Sequence, residues 1–223
     1  ISRYMRDMLR EYFNDIRVRA HIASEGSAFY LKPSMNDTLV IVIAQSGTTV
    51  DTNVYVQMAN KRGAMSLAIA NKREGDVTFI VDGTLYIGSG RDIEIAVPST
   101  KTYTAQVILG YILTLYFCCQ LNKLYKKRLP LNLHVENLRL VPNLIDETFN
   151  YFLKNKKILK KTLLHPLRYN SWYLVHDNSP NSVCAMELRI KLSEGCYHSL
   201  PYLHINDIQN KNVNKSLMIY ISN

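Results

Sequence analysis

The stretch DTLVIVIAQSGTT, Asp37 to Thr49, decides how the rest of this sequence is read. Its apolar part is nearly continuous and rich in branched residues, with no helical spacing of polar positions. That pattern predicts a strand buried on both faces, as in a parallel sheet covered by helices on either side. Gly47 breaks the run, and Val50–Arg62 reads as a helix that stops at Gly63. Met65–Ala70 is the next apolar strand, so the segment is a strand–turn–helix–strand unit.

The same alternation continues outward. Arg3–Ile16 has a helical face made by Tyr4, Met8, Leu9, Tyr12 and Phe13. Arg17–His21 reads as a short strand, and Ser24–Lys32 as a helix ended by Pro33. After a turn at Lys72–Asp76, an extended stretch surrounds Thr84–Ile87, and a long buried helix is predicted from Lys101 to Lys127. Leu131–Leu164 contains no strand pattern and reads as helices. Ser171–Val175 (SWYLV) is then a strand, His176–Asn181 a polar turn, Ser182–Tyr197 a helix and Ser216–Ile221 a strand. The fold class expected is α/β: a three-layer αβα, doubly wound, mostly parallel sheet, with one unit complete but for its first strand and part of a second. The expected divisions are a first unit over 1–130, a helical connector over 131–168 and a second unit over 169–223. SLMIYIS, Ser216–Ser222, repeats the pattern of TLVIVIA, Thr38–Ala44, which suggests a duplicated architecture clipped at both ends.

Bulk properties narrow the function classes. Of 223 residues, 47% are hydrophobic and 20% charged, an ordinary globular composition. The sequence opens at Ile1 with no charged-then-apolar leader, and its longest apolar run, Val107–Cys119, is too short to span a bilayer. A cytoplasmic protein without a membrane partner is expected. Four cysteines, Cys118, Cys119, Cys184 and Cys196, lack C-x-x-C spacing and read as buried thiols. The net charge of +9 is concentrated in Lys123–Arg128 and Lys154–Lys161. These runs read as solvated helix ends, and no nucleic-acid partner is expected from them. An anionic small molecule is equally compatible with the charge.

Gln45-Ser46-Gly47-Thr48-Thr49 joins a strand to a helix, where helix N-termini direct N–H groups outward. The hydroxyls of Ser46, Thr48 and Thr49 would add neutral donors, and Gly47 would let the backbone approach a phosphate closely. Thr48 with Asp51 also fits a plain capping box. A second hydroxyl turn, Ser99-Thr100, follows Glu94–Pro98 and leads into the long helix, where either residue could act as a cap or meet the first loop.

AQSGTTVDT, followed some fifty residues later by EIAVPSTKTYTAQ, is similar to the paired signatures of the sugar isomerase (SIS) family, in the form found in the isomerase domain of glucosamine-6-phosphate synthases. GSGRDIEIAVPSTK and MELRIKLSEGCY resemble large multidomain bacterial members most. The likeness extends from about His21 to Ile221. It implies two SIS units, the first holding a hexose 6-phosphate such as fructose 6-phosphate or glucosamine 6-phosphate. By the same resemblance, Gln45, Ser46, Thr49 and Ser99 match phosphate- and sugar-contacting positions, a homodimer is implied, and neither cofactor nor metal is expected.

Glu187, Lys191 and Glu194 fall within a strip about 60° wide on the predicted helix. Read without the resemblance, they are a solvated face with one i,i+4 ion pair. Apolar Val183, Ile190 and Leu188 border the strip, which suits a polar cleft. The resemblance implies active-site positions for all three, with Glu194 at the base of a ketose–aldose isomerisation and Lys191 able to stabilise an enediolate. Three departures stand against full activity. Ala44 replaces a common hydroxyl, the family's first strand would precede Ile1, and Asn210 stands where the ring-opening His would be. His198 and His204 lie nearby and read as surface or turn residues. No glutamine amidotransferase unit is expected on this chain. The resulting expectation is ketose–aldose isomerisation; the alternatives are sugar-phosphate binding without turnover, or a partial gene product.

Overall fold

The computed structural model describes residues 1–13, 15–88, 99–125, 130–163, 169, 171–177, 179–197, 199–210 and 215–222. The chain divides into two compact units, Ile1–Leu121 and Asn122–Asn223.

The first unit is built on three parallel strands, β1 (Leu39–Ala44), β2 (Met65–Ala70) and β3 (Gly83–Tyr86), in that order across the sheet. β1 and β2 pair in register from Leu39↔Met65 to Ala44↔Ala70. Successive residues of a strand point to opposite faces, and here both faces are apolar. Val40, Val42 and Ala68 pack with Tyr55, Val56 and Ala59 of α3 (Val50–Asn60) and with Val77 of α4 (Val77–Ile80). Ile41, Ile43, Leu67, Ile69 and Leu85 pack on the other side with Met5 of α1 (Ser2–Tyr12) and with Leu109, Leu113 and Phe117 of α5 (Lys101–Tyr125). The result is the αβα layering that the double-sided apolar pattern implied. By length and composition alone, Lys101–Leu121 would suffice to cross a membrane, so the shortness inferred from Val107–Cys119 does not hold for the whole helix. Its packing on the sheet makes it the unit's core helix.

Two expectations in this unit need correction or refinement, and one element was missed. Arg17–His21 forms no strand: among the described residues no neighbouring strand offers it a ladder, so its β-like pattern is left unpaired. The Ser24–Lys32 helix is a short α2 (Ala23–Glu25) that widens into a π-helical turn, Gly26–Tyr30, before Pro33. α4, a single turn, carried no sequence signal long enough to find.

In the second unit, β4 (Ser171–His176) lies between β5 (Tyr202–His204) and β6 (Ser216–Ile221), all parallel. α8 (Ser179–Cys196) buries Ala185 and packs Leu188 and Leu192 against Trp172, Leu174 and Leu217. The helix begins three residues before the expected Ser182, because β4 runs on through His176 and leaves little turn. His204, expected in a turn, instead ends β5, and its Nδ1 accepts the Asn206 amide at 3.2 Å. Leu131–Leu164 is helical as read, as α6 (Leu131–Lys154) and α7 (Lys156–Leu163).

The cysteines differ from the buried set expected. Cys118 is buried and Cys119 partly so, whereas Cys184 and Cys196 are exposed on α8, and all four are free thiols. Burial, with a smaller effect of Cys119 alongside, pushes the Cys118 thiol up to about 11. A maleimide added to the native chain at pH 8 is therefore expected to modify Cys184 and Cys196 first, with Cys118 reacting only after denaturation. Mass-mapped labelling checks this.

Candidate functional site

β1 stops at Ala44 because the chain must turn sharply at Gly47, whose φ of 74° lies in the left-handed region that side chains disfavour. The loop folds on its own hydroxyls. Ser46 Oγ and Thr48 Oγ1 are 2.8 Å apart, and the Thr48 amide donates to Ser46 Oγ at 3.3 Å. The Thr48–Asp51 capping box is not the arrangement found. Thr49 occupies the N-cap of α3, without a side-chain capping bond, so its hydroxyl is not spent on its own helix. Gln45 and Ser46 are half-buried, Gly47 is buried, and Thr48 and Thr49 are exposed.

Neighbouring segments hold this loop in shape. The Gly47 carbonyl accepts the Val77 amide at 2.9 Å and Asn53 Nδ2 at 3.3 Å. Gly75 presses directly on the loop. A Cβ there would run into the Ser46 carbonyl oxygen and stand 2.9 Å from Gly47 Cα. Ala44 O accepts Gln106 Nε2 of α5 at 3.0 Å. That bond brings the N-terminal end of α5, with Ser99 and Thr100, to the same carboxyl edge of the sheet as the loop. Ser99 is 8% exposed, while Thr100 is exposed and its carbonyl accepts the Thr104 amide and hydroxyl, each at 3.1 Å. The Glu94–Pro98 part of the second signature lies outside the described residues, as does His198. Local charge is mixed: Lys72, Arg73 and Lys101 oppose Asp51, Glu74 and Asp76, so hydroxyls and N–H groups set the character of the edge. Among the described residues no group of three or more His, Cys, Asp or Glu could hold a metal ion.

The three charged residues of the second unit lie on α8, roughly 130° around the helix from the side buried on its sheet. Glu187 and Lys191 form an ion pair at 2.9 Å and keep 23% and 22% of their side-chain exposure. Glu194, one turn on, is exposed. Asn210 ends a 3-10 helix, Ile205–Asn210. Sequence reading missed Gln106, Asn53 and Gly75. Only the place of Gly75 within the turn expected at Lys72–Asp76 hinted at a tight bend.

An apolar parallel sheet covered on both faces, with a hydroxyl loop at its carboxyl edge, defines a doubly wound α/β domain, and residues 8–116 match the SIS domain family. The chain carries a SIS domain and resembles the isomerase part of glutamine–fructose-6-phosphate aminotransferases. It is 34% identical over 189 residues to the glutamine–fructose-6-phosphate aminotransferase [isomerizing] of Clostridium tetani, which covers 84% of this chain and 29% of that protein. The namesake from Fusobacterium nucleatum is 39% identical over 92 residues, 41% of this chain and 15% of its own length. The chain thus spans less than a third of these two relatives. In fold, it superposes on the C-terminal domain of glucosamine-fructose-6-phosphate aminotransferase from Francisella tularensis with a TM-score of 0.75 and 19% identity, covering 99% of this chain and 61% of that one. Glucosamine-6-phosphate deaminase from Thermotoga maritima gives a TM-score of 0.66 at 15% identity, with 98% and 61% covered.

Replacing Gly75 by Ala is expected to displace Ser46 and Gly47 and to lower stability by about 1–3 kcal/mol, the scale of overpacking at a closed site. Denaturant unfolding of the variant measures the loss, and an unchanged midpoint would show that the loop yields without cost.

Proposed function

We propose that the first unit binds a hexose 6-phosphate, such as fructose 6-phosphate or glucosamine 6-phosphate, and that the chain is an isomerase portion of a glucosamine-6-phosphate synthase-like protein. One observation carries the reading: the Ser46–Thr48 hydroxyl loop stands at the N-terminus of α3 on the carboxyl edge of β1, with Thr49 uncommitted to its helix. Helix N–H groups and hydroxyls there suit a phosphate. The names of the relatives, which specify fructose 6-phosphate and isomerisation, support the substrate class. Gln45, Gly47, Ser99 and Thr100 are proposed to line the same ligand. A cytoplasmic homodimer active in amino sugar biosynthesis accords with that family reading.

For turnover, Glu194 is proposed to carry the proton between adjacent sugar carbons, with Lys191 and Glu187 as polar support. The ion pair leaves Glu194 as the carboxylate without an ammonium partner among the described residues. A second reading, sugar-phosphate binding without turnover, is favoured by Asn210, which cannot exchange a proton near neutral pH as an imidazole can.

Calorimetry with fructose 6-phosphate and with fructose tests the ligand class. Binding of the phosphate ester alone is expected, and Ser46→Ala should weaken it by about 1–2 kcal/mol; equal affinities for the two sugars would refute the reading. Exchange of the substrate's C1 or C2 hydrogen with heavy water tests the base. Glu194→Gln should abolish exchange while sugar-phosphate binding persists, and exchange as fast as the parent's would reject the assignment. A parent that binds without exchanging is the outcome expected of the second reading.

A further inference from the structure

We propose that Gln106 is a positioning residue that couples the two hydroxyl turns of the first unit, so that Ser46 and Ser99 act on one anionic ligand. The proposal rests on the anion-site reading above.

α5 is largely an apolar helix, packing Leu109, Leu113 and Phe117 into the core. Its first turns break that rule. Thr102 and Gln106, spaced i and i+4 and so on one face, are 3% and 6% exposed, and Ser99, just ahead of the helix, is 8% exposed. Burying a primary amide is costly unless it is hydrogen-bonded. Gln106 meets that cost with a bond to Ala44 O at 3.0 Å, across 62 residues of sequence. The chemistry of the partner fixes the orientation of the amide. A carbonyl oxygen only accepts, so the NH2 group must face Ala44 and Oε1 must face away.

The place of that bond gives it a role beyond stability. Ala44 is the last residue of β1, two residues before Ser46. Downstream, the loop is held at the Gly47 carbonyl by Asn53 of α3 and by Val77. Those bonds fix the loop to the elements on its own side of the sheet. Gln106 ties its upstream end to α5, the helix that Ser99 and Thr100 introduce. Ser99 lies seven residues before Gln106, just ahead of the first turn of α5. One side chain therefore sets the separation of the two hydroxyl turns.

The test is a double-mutant cycle on the 223-residue chain. Fructose 6-phosphate affinity is measured by calorimetry for the parent, Ser99→Ala, Gln106→Leu and the double variant, with a thermal melt of each. Gln106→Leu is expected to weaken binding about tenfold. Ser99→Ala should cost roughly fivefold in the parent and less than about twofold beside Gln106→Leu, because the turns are then uncoupled. A purely structural glutamine would lower the melting temperature and leave the Ser99 effect unchanged. The same cycle on Gln106→Glu, which keeps the length but cannot donate when ionised, decides the matter should the leucine variant not fold. Equal Ser99 effects in parent and variant backgrounds would overturn the coupling while leaving the anion site standing. A parent that does not bind fructose 6-phosphate would overturn both.

Discussion

Everything in the first unit follows from the parallel pairing of β1 with β2. Parallel neighbours cannot be joined by a tight hairpin, so the chain must leave the carboxyl end of one strand and return to the amino end of the next. α3 makes that return, and its N-terminus must therefore stand at the carboxyl edge, directly after the loop. Burial of both sheet faces then requires helices on each side. β1 and β2 supply Val40, Val42 and Ala68 to one side and Ile41, Ile43, Leu67 and Ile69 to the other. The hydroxyl loop is thus located by a hydrogen-bonding constraint some distance away, before any ligand chemistry is considered.

The anion binding proposed for the edge where it stands would rest on preorganisation more than on charge. The net charge of +9 is a property of the whole chain. Among the described residues of the segments that meet at the loop, Lys72, Arg73 and Lys101 stand against Asp51, Glu74 and Asp76, with Asp51 in the first turn of α3. What distinguishes the place is that its donors are already held. Gly47 adopts a conformation few residues tolerate, Gly75 permits contact without a side chain, and both ends of the loop are anchored through carbonyls at Ala44 and Gly47. Donors fixed in advance lose little entropy on meeting a ligand, which is how a neutral cradle of the kind proposed would gain affinity.

How much of this was legible in the sequence depended on distance along the chain. β1, β2, β4 and β6 are continuous apolar runs and were readable, as were α3, α5 and the hydroxyls of the loop. Arg17–His21 was misread because a strand requires a partner as well as a pattern, and no single stretch of sequence reports the partner. β5 has three residues, too few for periodicity to register. Cys184 and Cys196 looked buried among apolar neighbours, but they fall on the side of α8 away from or beyond the packed Ala185, Leu188 and Leu192. Gln106 was invisible for the same reason as the strand error: its partner is 62 residues away, and nothing local distinguishes a glutamine that holds a loop from one that faces water.

The charged strip on α8 shows the same limit from the side of chemistry. Spacing alone placed Glu187, Lys191 and Glu194 on one strip and allowed one i,i+4 ion pair within it. The structure separates them, since Glu187 and Lys191 are closed on each other at 2.9 Å while Glu194 remains outside that pair. A carboxylate locked to an ammonium must break a charge-assisted bond before it can accept a proton, and an ammonium so locked must do the same before it can reach a developing oxyanion. A carboxylate outside the pair meets no such cost. The asymmetry is consistent with the proposed roles, in which the pair holds and Glu194 transfers, because it follows which partner each charge already has.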